Sequence, residues 1–249
     1  MNNISILSLL SLCILVSETT MAGSKEVRKL LWDQWYTVSI ANKIPYGYYH
    51  DKVEAVDQRI FFQNHYWKQE EGFINEEHLG AYAKNNLELT PLFFNFQTKN
   101  KTAEINIDAS VENKGTAAAI MTIKTTKDKQ QLAPFSKVIS KNVFFEVFFP
   151  IWAAKNLPTL KVGQTKSFYA ILEDGANENF QPISGWIRPE KEDAMSKQTK
   201  TKKITLYFRD LLSLWYIEES GRPCQIFWNS QNVLVKKATE KEAKSFLLR

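Results

Sequence analysis

Alternation of apolar and polar residues runs through most of this chain and limits what it can fold into. In the segment 103–112, Ile105, Ile107, Ala109 and Val111 occupy every second position, with polar residues between them. A period of two places successive side chains on opposite faces of a β-strand. The pattern therefore predicts strands with one face on a core and the other face on solvent.

Short turn signals separate about ten segments of this kind, from Trp35–Ala41 near the start to Asn232–Lys236 near the end. Tyr46–Val56 and Arg59–Trp67 are joined by only two residues, so they are expected to pair as antiparallel neighbours. This spacing predicts a mainly β (α+β) fold built on one large, strongly curved antiparallel sheet.

Three segments are predicted to be helical. Glu26–Trp32 is the first, and Pro150–Asn156 is the second, because proline suits the first turn of a helix. The third begins at a capping box formed by Thr239 and Glu242 and runs to about Leu248, where it is expected to close one mouth of the sheet. The basic stretch 196–203 is interpreted as a solvated hairpin loop, with contact to anionic lipid headgroups as the alternative.

An aromatic run between residues 142 and 158 contains the candidate ligand-binding residues. They are Phe144, Phe145, Phe148, Phe149 and Trp152. Five large apolar side chains cannot all face bulk water in a soluble protein, since burying each is worth roughly 1.5–3 kcal/mol. Two interpretations remain open: a plug that completes the core, or an apolar wall or lid of a lipid-binding concavity. Val143–Phe149 could be a strand or an extension of the helix.

The first 22 residues have the features of an export signal. Ile4–Val16 is apolar but too short to span a membrane, and Thr20 and Ala22 fit an A-x-A-like cleavage site. Cleavage near Ala22 would leave a single domain over residues 23–249, located in the periplasm or secreted. The alternatives are an uncleaved membrane anchor, a buried N-terminal helix, or lipidation at Cys13.

Composition bounds the chemistry of the mature chain. Only Cys224 remains after cleavage, which excludes an internal disulfide and a cysteine-based zinc site. Glu18 is the one charged side chain of the signal, so the net charge becomes 32 − 26 = +6. No nucleic-acid-binding module accompanies this charge, and no phosphate loop or dinucleotide fingerprint is present. We therefore predict no nucleic-acid partner, no metal and no cofactor.

Catalytic residues are not predicted either. His50 and His65 lie on strands expected to pair, but their spacing matches no metal motif, and His78 is interpreted as part of a polar loop or edge. Cys224 could act as a nucleophile only beside a histidine, which nothing in the sequence indicates. An unrecognised hydrolase remains an alternative, to be exposed by mutating His50, His65 and Cys224.

Four stretches follow one another along the chain: WYTVSIANKIPYGYYHDKVE, LKVGQTKSFYAIL, LWYIEESGRPCQIFW and VKKATEKEAKSF. In their sequence and order they resemble exported bacterial proteins of the LolA/LolB-like half-barrel group. Together the matching regions cover about half of the mature chain. The resemblance implies an incomplete β-barrel wrapped around a few short helices, with an apolar concavity that in characterised relatives holds acyl chains. It brings no catalytic residues.

The function expected from these observations is non-enzymatic binding of a hydrophobic ligand, a lipid or lipoprotein acyl chain, in the concave face of the sheet. Transient contact with a membrane surface is compatible with that role. The alternative is an envelope module whose concave face binds another protein.

Overall fold

The strands form a single sheet in which nearly every strand pairs with its neighbour in sequence. The computed structural model describes residues 26–41, 44–70, 72–114, 118–175 and 178–247. Within these residues the sheet has sixteen strands, in the order β10-β11-β12-β13-β14-β15-β16-β1-β2-β3-β4-β5-β6-β7-β8, with β9 also paired to β7. All pairs are antiparallel except β10 and β11, which run parallel. The predicted fold class, a large curved antiparallel sheet that does not close around a few short helices, is confirmed.

The strand bounds are as follows. They are β1 Arg28–Ile40, β2 Ile44–Val56, β3 Arg59–Glu70, β4 Phe73–Lys84, β5 Pro91–Lys99, β6 Glu104–Lys114, β7 Ala118–Lys127, β8 Gln130–Gln131, β9 Phe135–Ser140, β10 Val143–Phe145, β11 Lys166–Ile171, β12 Ile183–Pro189, β13 Lys202–Phe208, β14 Leu211–Ile217, β15 Pro223–Trp228 and β16 Val233–Ala238. The α-helices are α1 Phe149–Asn156, α2 Ala194–Thr199 and α3 Glu240–Phe246. Short 3₁₀ turns cover Glu146–Phe148, Leu157–Thr159 and Glu178–Phe180.

The sheet consists of two series of hairpins, one from β1 to β7 and the other from β11 to β16, and they meet where β1 pairs with β16. Within each series tight turns set the register, as at Asp57, whose positive φ of 52° suits the short polar side chain of aspartate. Between the series, β1 pairs with β16 from Trp35↔Ala238 to Ile40↔Val233. The first and last strands of the described chain therefore lie side by side in the middle of the sheet.

A helical plug, defined here as residues 143–156, fills the concave side of the sheet. It begins as β10, passes through the 3₁₀ turn at Glu146–Phe148 and continues into α1. The predicted helix over Pro150–Asn156 is confirmed, with the proline in its first turn. The open choice for Val143–Phe149 resolves into a short strand followed by the 3₁₀ turn.

The core lies between the plug and the sheet. Phe144, Phe145 and Phe148 are at most 1% exposed. The ring of Phe145 meets Phe94 of β5 edge-on, with centroids 5.0 Å apart. These contacts connect the plug with the sheet and make one continuous apolar cluster.

The C-terminal helix has the predicted cap but a different location. Thr239 and Glu242 form the capping box at the start of α3, as predicted, and Leu248 lies outside the described residues. The helix contacts β1 and β2, and Lys244 Nζ lies 5.2 Å from the ring centroid of Trp35. Tyr36 is fully buried on the core side of β1, so its neighbour Trp35 points to the opposite, outer face. Since α3 contacts Trp35, it covers the outer face of the sheet. The prediction that it closes a mouth is wrong.

Three further local predictions are wrong. Glu26–Trp32 is not helical, because from Arg28 onward the chain joins β1 and pairs with β2. The stretch 196–203 is not a hairpin loop: Asp193 caps α2 by accepting a hydrogen bond from the backbone N–H of Ser196. His78 is not in a loop or at an edge, since β4 lies between β3 and β5.

The predicted signal, its cleavage site and Cys13 lie outside the described residues. Within the part that the structure describes, no helix combines the length and apolar character needed to cross a membrane.

Candidate ligand-binding pocket

A pocket of about 400 Å³ opens on the concave face of the sheet, between the strands and the plug. Its lining comes from β1–β4, β14–β16, the turn between β15 and β16, and residues 146–150 of the plug. The lining residues are Val38, Tyr46, Tyr49, Asp51, Phe62, Asn64, Tyr66, Leu79, Glu146, Val147, Pro150, Trp215, Pro223, Ile226, Trp228, Gln231, Val233 and Val235. This volume falls within the usual range for ligand pockets, at its lower end.

Strand alternation explains why polar groups enter an apolar wall. Tyr49, Asp51 and Val53 share the inward face of β2, and Val53 is fully buried. Opposite them on β3, Asn64 is paired with Asp51 in the antiparallel register. A carboxyl group is thus held on a face that otherwise belongs to the core.

Asp51 is the more enclosed of two pocket carboxyl groups. Its side chain is 6% exposed, and Asn64 Nδ2 donates a hydrogen bond to its Oδ1 over 2.7 Å. Burial raises the pKa of Asp51 to about 7, although the Asn64 hydrogen bond acts in the opposite direction. At neutral pH this carboxyl group is therefore protonated far more often than an exposed aspartate.

Glu146 faces the same pocket from the 3₁₀ turn of the plug. Burial, and secondarily the nearby charge of Asp174, raises the pKa of Glu146 to about 7. Behind it, Glu173 is 4% exposed and accepts a hydrogen bond of 3.0 Å from the backbone N–H of Val147. That bond fixes the turn that carries Glu146. Burial, and then repulsion from Glu146, raises the pKa of Glu173 well above its usual range.

Tyrosine rings form part of the wall. The ring of Tyr49 stacks on Tyr36 at 4.6 Å and meets Tyr66 edge-on at 5.9 Å. Tyr66 occupies its position because Gly47 has no side chain: a Cβ there would lie 2.7 Å from Cε2 of Tyr66. Burial raises the pKa of Tyr49 and of Tyr66, so both rings keep their hydroxyl protons at neutral pH.

The charge of the lining has one sign. Of the lining residues, Asp51 and Glu146 are ionisable carboxyl groups, and none is lysine, arginine or histidine. Although the chain as a whole is basic, its pocket offers hydrogen-bond acceptors and partial negative charge. A bound group that donates hydrogen bonds or carries positive charge would be favoured over a carboxylate.

The five predicted ligand-binding aromatics lie in the core. Phe144, Phe145, Phe148, Phe149 and Trp152 are between 0% and 6% exposed. None lines the 400 Å³ pocket; their neighbours Glu146, Val147 and Pro150 do. Their burial is what the plug interpretation requires, and their role in ligand binding stays a prediction.

A second cleft, of about 680 Å³, lies beside the end of the plug and β13. Three lysines and four glutamates contribute to its lining, together with apolar residues such as Leu157 and Val162. Its charges partly pair with each other and with nearby residues, as Lys202 does with Glu192 and Lys203 with Asp193. Because its lining carries charges of both signs, this cleft favours one kind of ligand charge less than the 400 Å³ pocket does. Lipid contact by the basic stretch stays a prediction.

The residues considered for catalysis are distributed over separate strands. His50, His65 and His78 lie on the neighbouring strands β2, β3 and β4, and the expected pairing of His50 with His65 is confirmed. Cys224 is a free, half-buried cysteine on β15, with β16 and β1 between its strand and β2. The sheet does not bring Cys224 and a histidine onto adjacent strands.

Sequence reasoning missed the acidic and tyrosine groups of the pocket. The sequence does contain a signal for Asp51. At the strand period of two, Asp51 falls on the same face as Tyr49 and Val53, where a carboxyl group interrupts an otherwise apolar series. Glu146 gave no such signal, since its direction depends on a 3₁₀ turn that packing imposes.

The chain has little detectable sequence similarity to known proteins. No protein-family model matches it, and no curated protein matches it significantly. Among solved structures, it is similar to a DUF1089 family protein from Pseudomonas aeruginosa, with a TM-score of 0.40 and 11% sequence identity. The match covers 71% of this chain and 87% of that one. At this level the likeness bears on neither ligand nor activity.

Proposed function

We propose that the protein binds a hydrophobic ligand without transforming it, in the pocket on the concave face of its sheet. The ligand class is a lipid or lipoprotein acyl chain, as in characterised members of the LolA/LolB-like half-barrel group that parts of the sequence resemble. One observation carries this proposal. The 400 Å³ pocket has apolar and aromatic walls, and it contains two carboxyl groups but no lysine, arginine or histidine that could pair with them.

The apolar part of the ligand would lie against side chains such as Phe62, Leu79 and Ile226. Removing about 100 Å² of apolar surface from water supplies roughly 2.5 kcal/mol, so even a short chain gains useful affinity there. The polar end would meet Asp51 and Glu146. A donor or a cation would satisfy these acceptors, whereas a carboxylate would be repelled once they ionise.

Binding can be measured with N-phenyl-1-naphthylamine, an uncharged probe whose emission rises in apolar sites. The chain 23–249 should show saturable binding, and Val147→Trp, which fills the pocket from a half-buried wall position, should weaken it at least tenfold. The control is Val138→Trp, because Val138 is 69% exposed on β9 and does not line the pocket. Equal affinity in both variants would contradict the pocket assignment.

Headgroup preference gives a second test at pH 8, where both carboxyl groups are mostly ionised. Dodecylamine should displace the probe at concentrations at least tenfold lower than dodecanoate. The preference should shrink at pH 6, where dodecanoate is still mostly ionised, since protonation of Asp51 and Glu146 removes the pocket charge that distinguishes the two competitors.

A solvent extract of the purified protein separates this function from the alternatives. Mass spectrometry should find co-purified lipid in the chain and much less in Val147→Trp. If the extract is empty and no probe binds, the ligand-binding proposal fails, and the concave face is better interpreted as a protein-binding surface. Turnover in a hydrolase substrate panel that is lost in Cys224→Ala would instead favour the enzyme alternative.

Export belongs to the same proposal. The apolar stretch Ile4–Val16 and the small residues at Thr20 and Ala22 support cleavage near Ala22 and a periplasmic or secreted location. Protein isolated from an envelope fraction should begin at Gly23 or a close neighbour. An intact Met1 would contradict cleavage, and a diacylated Cys13 would replace it with a lipoprotein anchor.

A further inference from the structure

The three histidines of the chain form a single row across three adjacent strands. Register places His50 opposite His65, and His65 opposite His78. Directly opposed residues on antiparallel strands point to the same face. That face is the outer one, because His50 lies between Tyr49 and Asp51, which line the pocket on the concave side. The row is thus separate from the ligand pocket.

Two of these rings and one carboxylate lie close together on the outer face. The ring centroids of His65 and His78 are 3.5 Å apart. Glu76 precedes His78 by two positions on β4, so it emerges on the same face. One donor atom from each of His65, Glu76 and His78 can be chosen so that all three lie within 4.8 Å of one another.

His65 has a buried ring nitrogen without a partner. Its Nε2 is inaccessible to solvent and makes no hydrogen bond in the described structure. Buried polar atoms in folded proteins nearly always have a partner, so this nitrogen calls for an explanation. His50 differs, because its Nε2 lies 2.6 Å from Oδ1 of Asp33 and is already engaged.

We propose that His65, His78 and Glu76 bind a divalent first-row transition metal ion, for which Zn²⁺ is the reference. Two imidazoles and a carboxylate suit this ion and leave its fourth position to water. Tetrahedral ligands at about 2.05 Å from zinc lie about 3.3 Å apart, so the three groups must close in somewhat. The side chains of His78 and Glu76 are 46% and 49% exposed, which leaves them free to rotate toward His65.

The neighbourhood supports a defined geometry at this site. Trp67 packs against His65, with ring centroids 3.5 Å apart, and restricts the rotation of that imidazole. The existing contact between His78 Nε2 and Glu76 Oε2 is 4.0 Å long and solvent-exposed, so little is lost when a metal replaces it. His65 therefore acts as the fixed ligand, and the other two as mobile ones.

Isothermal titration calorimetry of tag-free, EDTA-dialysed chain 23–249 with ZnCl₂ tests the proposal. We expect one site per chain with a dissociation constant of about 10 µM or tighter. His78→Asn should weaken binding at least tenfold, and Glu76→Gln several-fold. His50→Gln is the matched control and should change the affinity less than twofold. Absence of binding by the unmutated chain, or equal losses in the His50 and His78 variants, would overturn the site.

A spectroscopic measurement tests the site from the side of Trp67, without a substitution of His65. Cu²⁺ bound beside Trp67 should quench part of the tryptophan emission, and excess EDTA should restore it. The quenched fraction should fall in Trp67→Phe, in which six of the seven tryptophans remain. Quenching unchanged in both Trp67→Phe and His78→Asn would place the metal elsewhere and overturn the assignment.

Discussion

Asn64 donates a hydrogen bond of 2.7 Å to Asp51 across the paired strands β2 and β3, inside the wall of the concave pocket. This bond holds one oxygen of a carboxyl group that is 6% exposed. The hydrogen bond does not offset the burial, because the pKa of Asp51 is raised to about 7. The pocket therefore contains an acid that titrates near neutrality.

Stability should depend on pH through Asp51. The unfolded pKa is about 3.9. Between pH 4 and 7 the folded chain keeps a proton that the unfolded chain has released, so the free energy of unfolding falls as pH rises. Asp51→Asn removes this penalty and can still accept the Asn64 hydrogen bond. We expect it to raise the free energy of unfolding at pH 8 by on the order of 1–4 kcal/mol, with little effect near pH 4.

Urea denaturation at the two pH values measures that difference. Asp128→Asn serves as the control, because Asp128 is an exposed turn residue. The same stabilisation in both variants, or a gain for Asp51→Asn at pH 4 as large as at pH 8, would contradict the role of burial.

Gly221 should be intolerant of a side chain because the plug lies against it. Its φ is +93°, and a Cβ would lie 2.9 Å from the carbonyl oxygen of Pro150. Gly221→Ala should cost about 1–2 kcal/mol for the backbone conformation and about 1–3 kcal/mol more for overpacking. Gly163→Ala measures the backbone cost alone, since Gly163 has a φ of +84° and an added Cβ would have no neighbour within 4 Å. Equal losses in thermal unfolding would show that the plug can move away.

Phe145 and Val147 should respond differently to truncation. Phe145 is fully buried against Phe94, so Phe145→Ala is expected to lower the free energy of unfolding by about 3–5 kcal/mol. Val147 is half-buried and lines the pocket, so Val147→Ala should cost less stability and change probe affinity instead. A Phe145→Ala protein of near-normal stability with altered probe binding would favour the lid interpretation over the core plug.

The cap of α3 gives a local prediction. Thr239 Oγ1 accepts a hydrogen bond of 3.3 Å from the backbone N–H of Glu242, and Oε2 of Glu242 accepts one of 2.8 Å from the N–H of Thr239. Thr239→Ala should lower stability by about 1 kcal/mol, while Thr239→Ser keeps the hydroxyl and should be close to neutral. An unchanged melting midpoint for the alanine variant would contradict the stabilising role of this cap.

The sheet could be predicted from the sequence where alternation is regular, as in Glu104–Lys114, but not where the pattern is weak. β4 was missed because Phe73–Lys84 contains consecutive glutamates, a glycine and two alanines, which favour strands only weakly. β10 has three residues and pairs in parallel with β11, across the intervening helix. Such pairing depends on packing of the whole domain, which a local pattern does not encode.

The candidate pocket was predictable in part. Pairing of β2 with β3 followed from their short turn, and it brings Asp51 next to Asn64. The position of Glu146 depends on how the plug crosses the sheet, which is decided by buried contacts such as that between Phe148 and Phe62. Contacts of that kind join residues far apart in sequence, so only the folded chain reveals them.

The ladder between β1 and β16 has a consequence for how the molecule is made. When the ribosome has just added Asn232, β16 is the one described strand that has not yet been made, and β1 still lacks one of its two partners. An unpaired strand edge is a site where chains associate with one another. Growing chains of this protein therefore expose an unpaired edge of β1 until β16 has been synthesised.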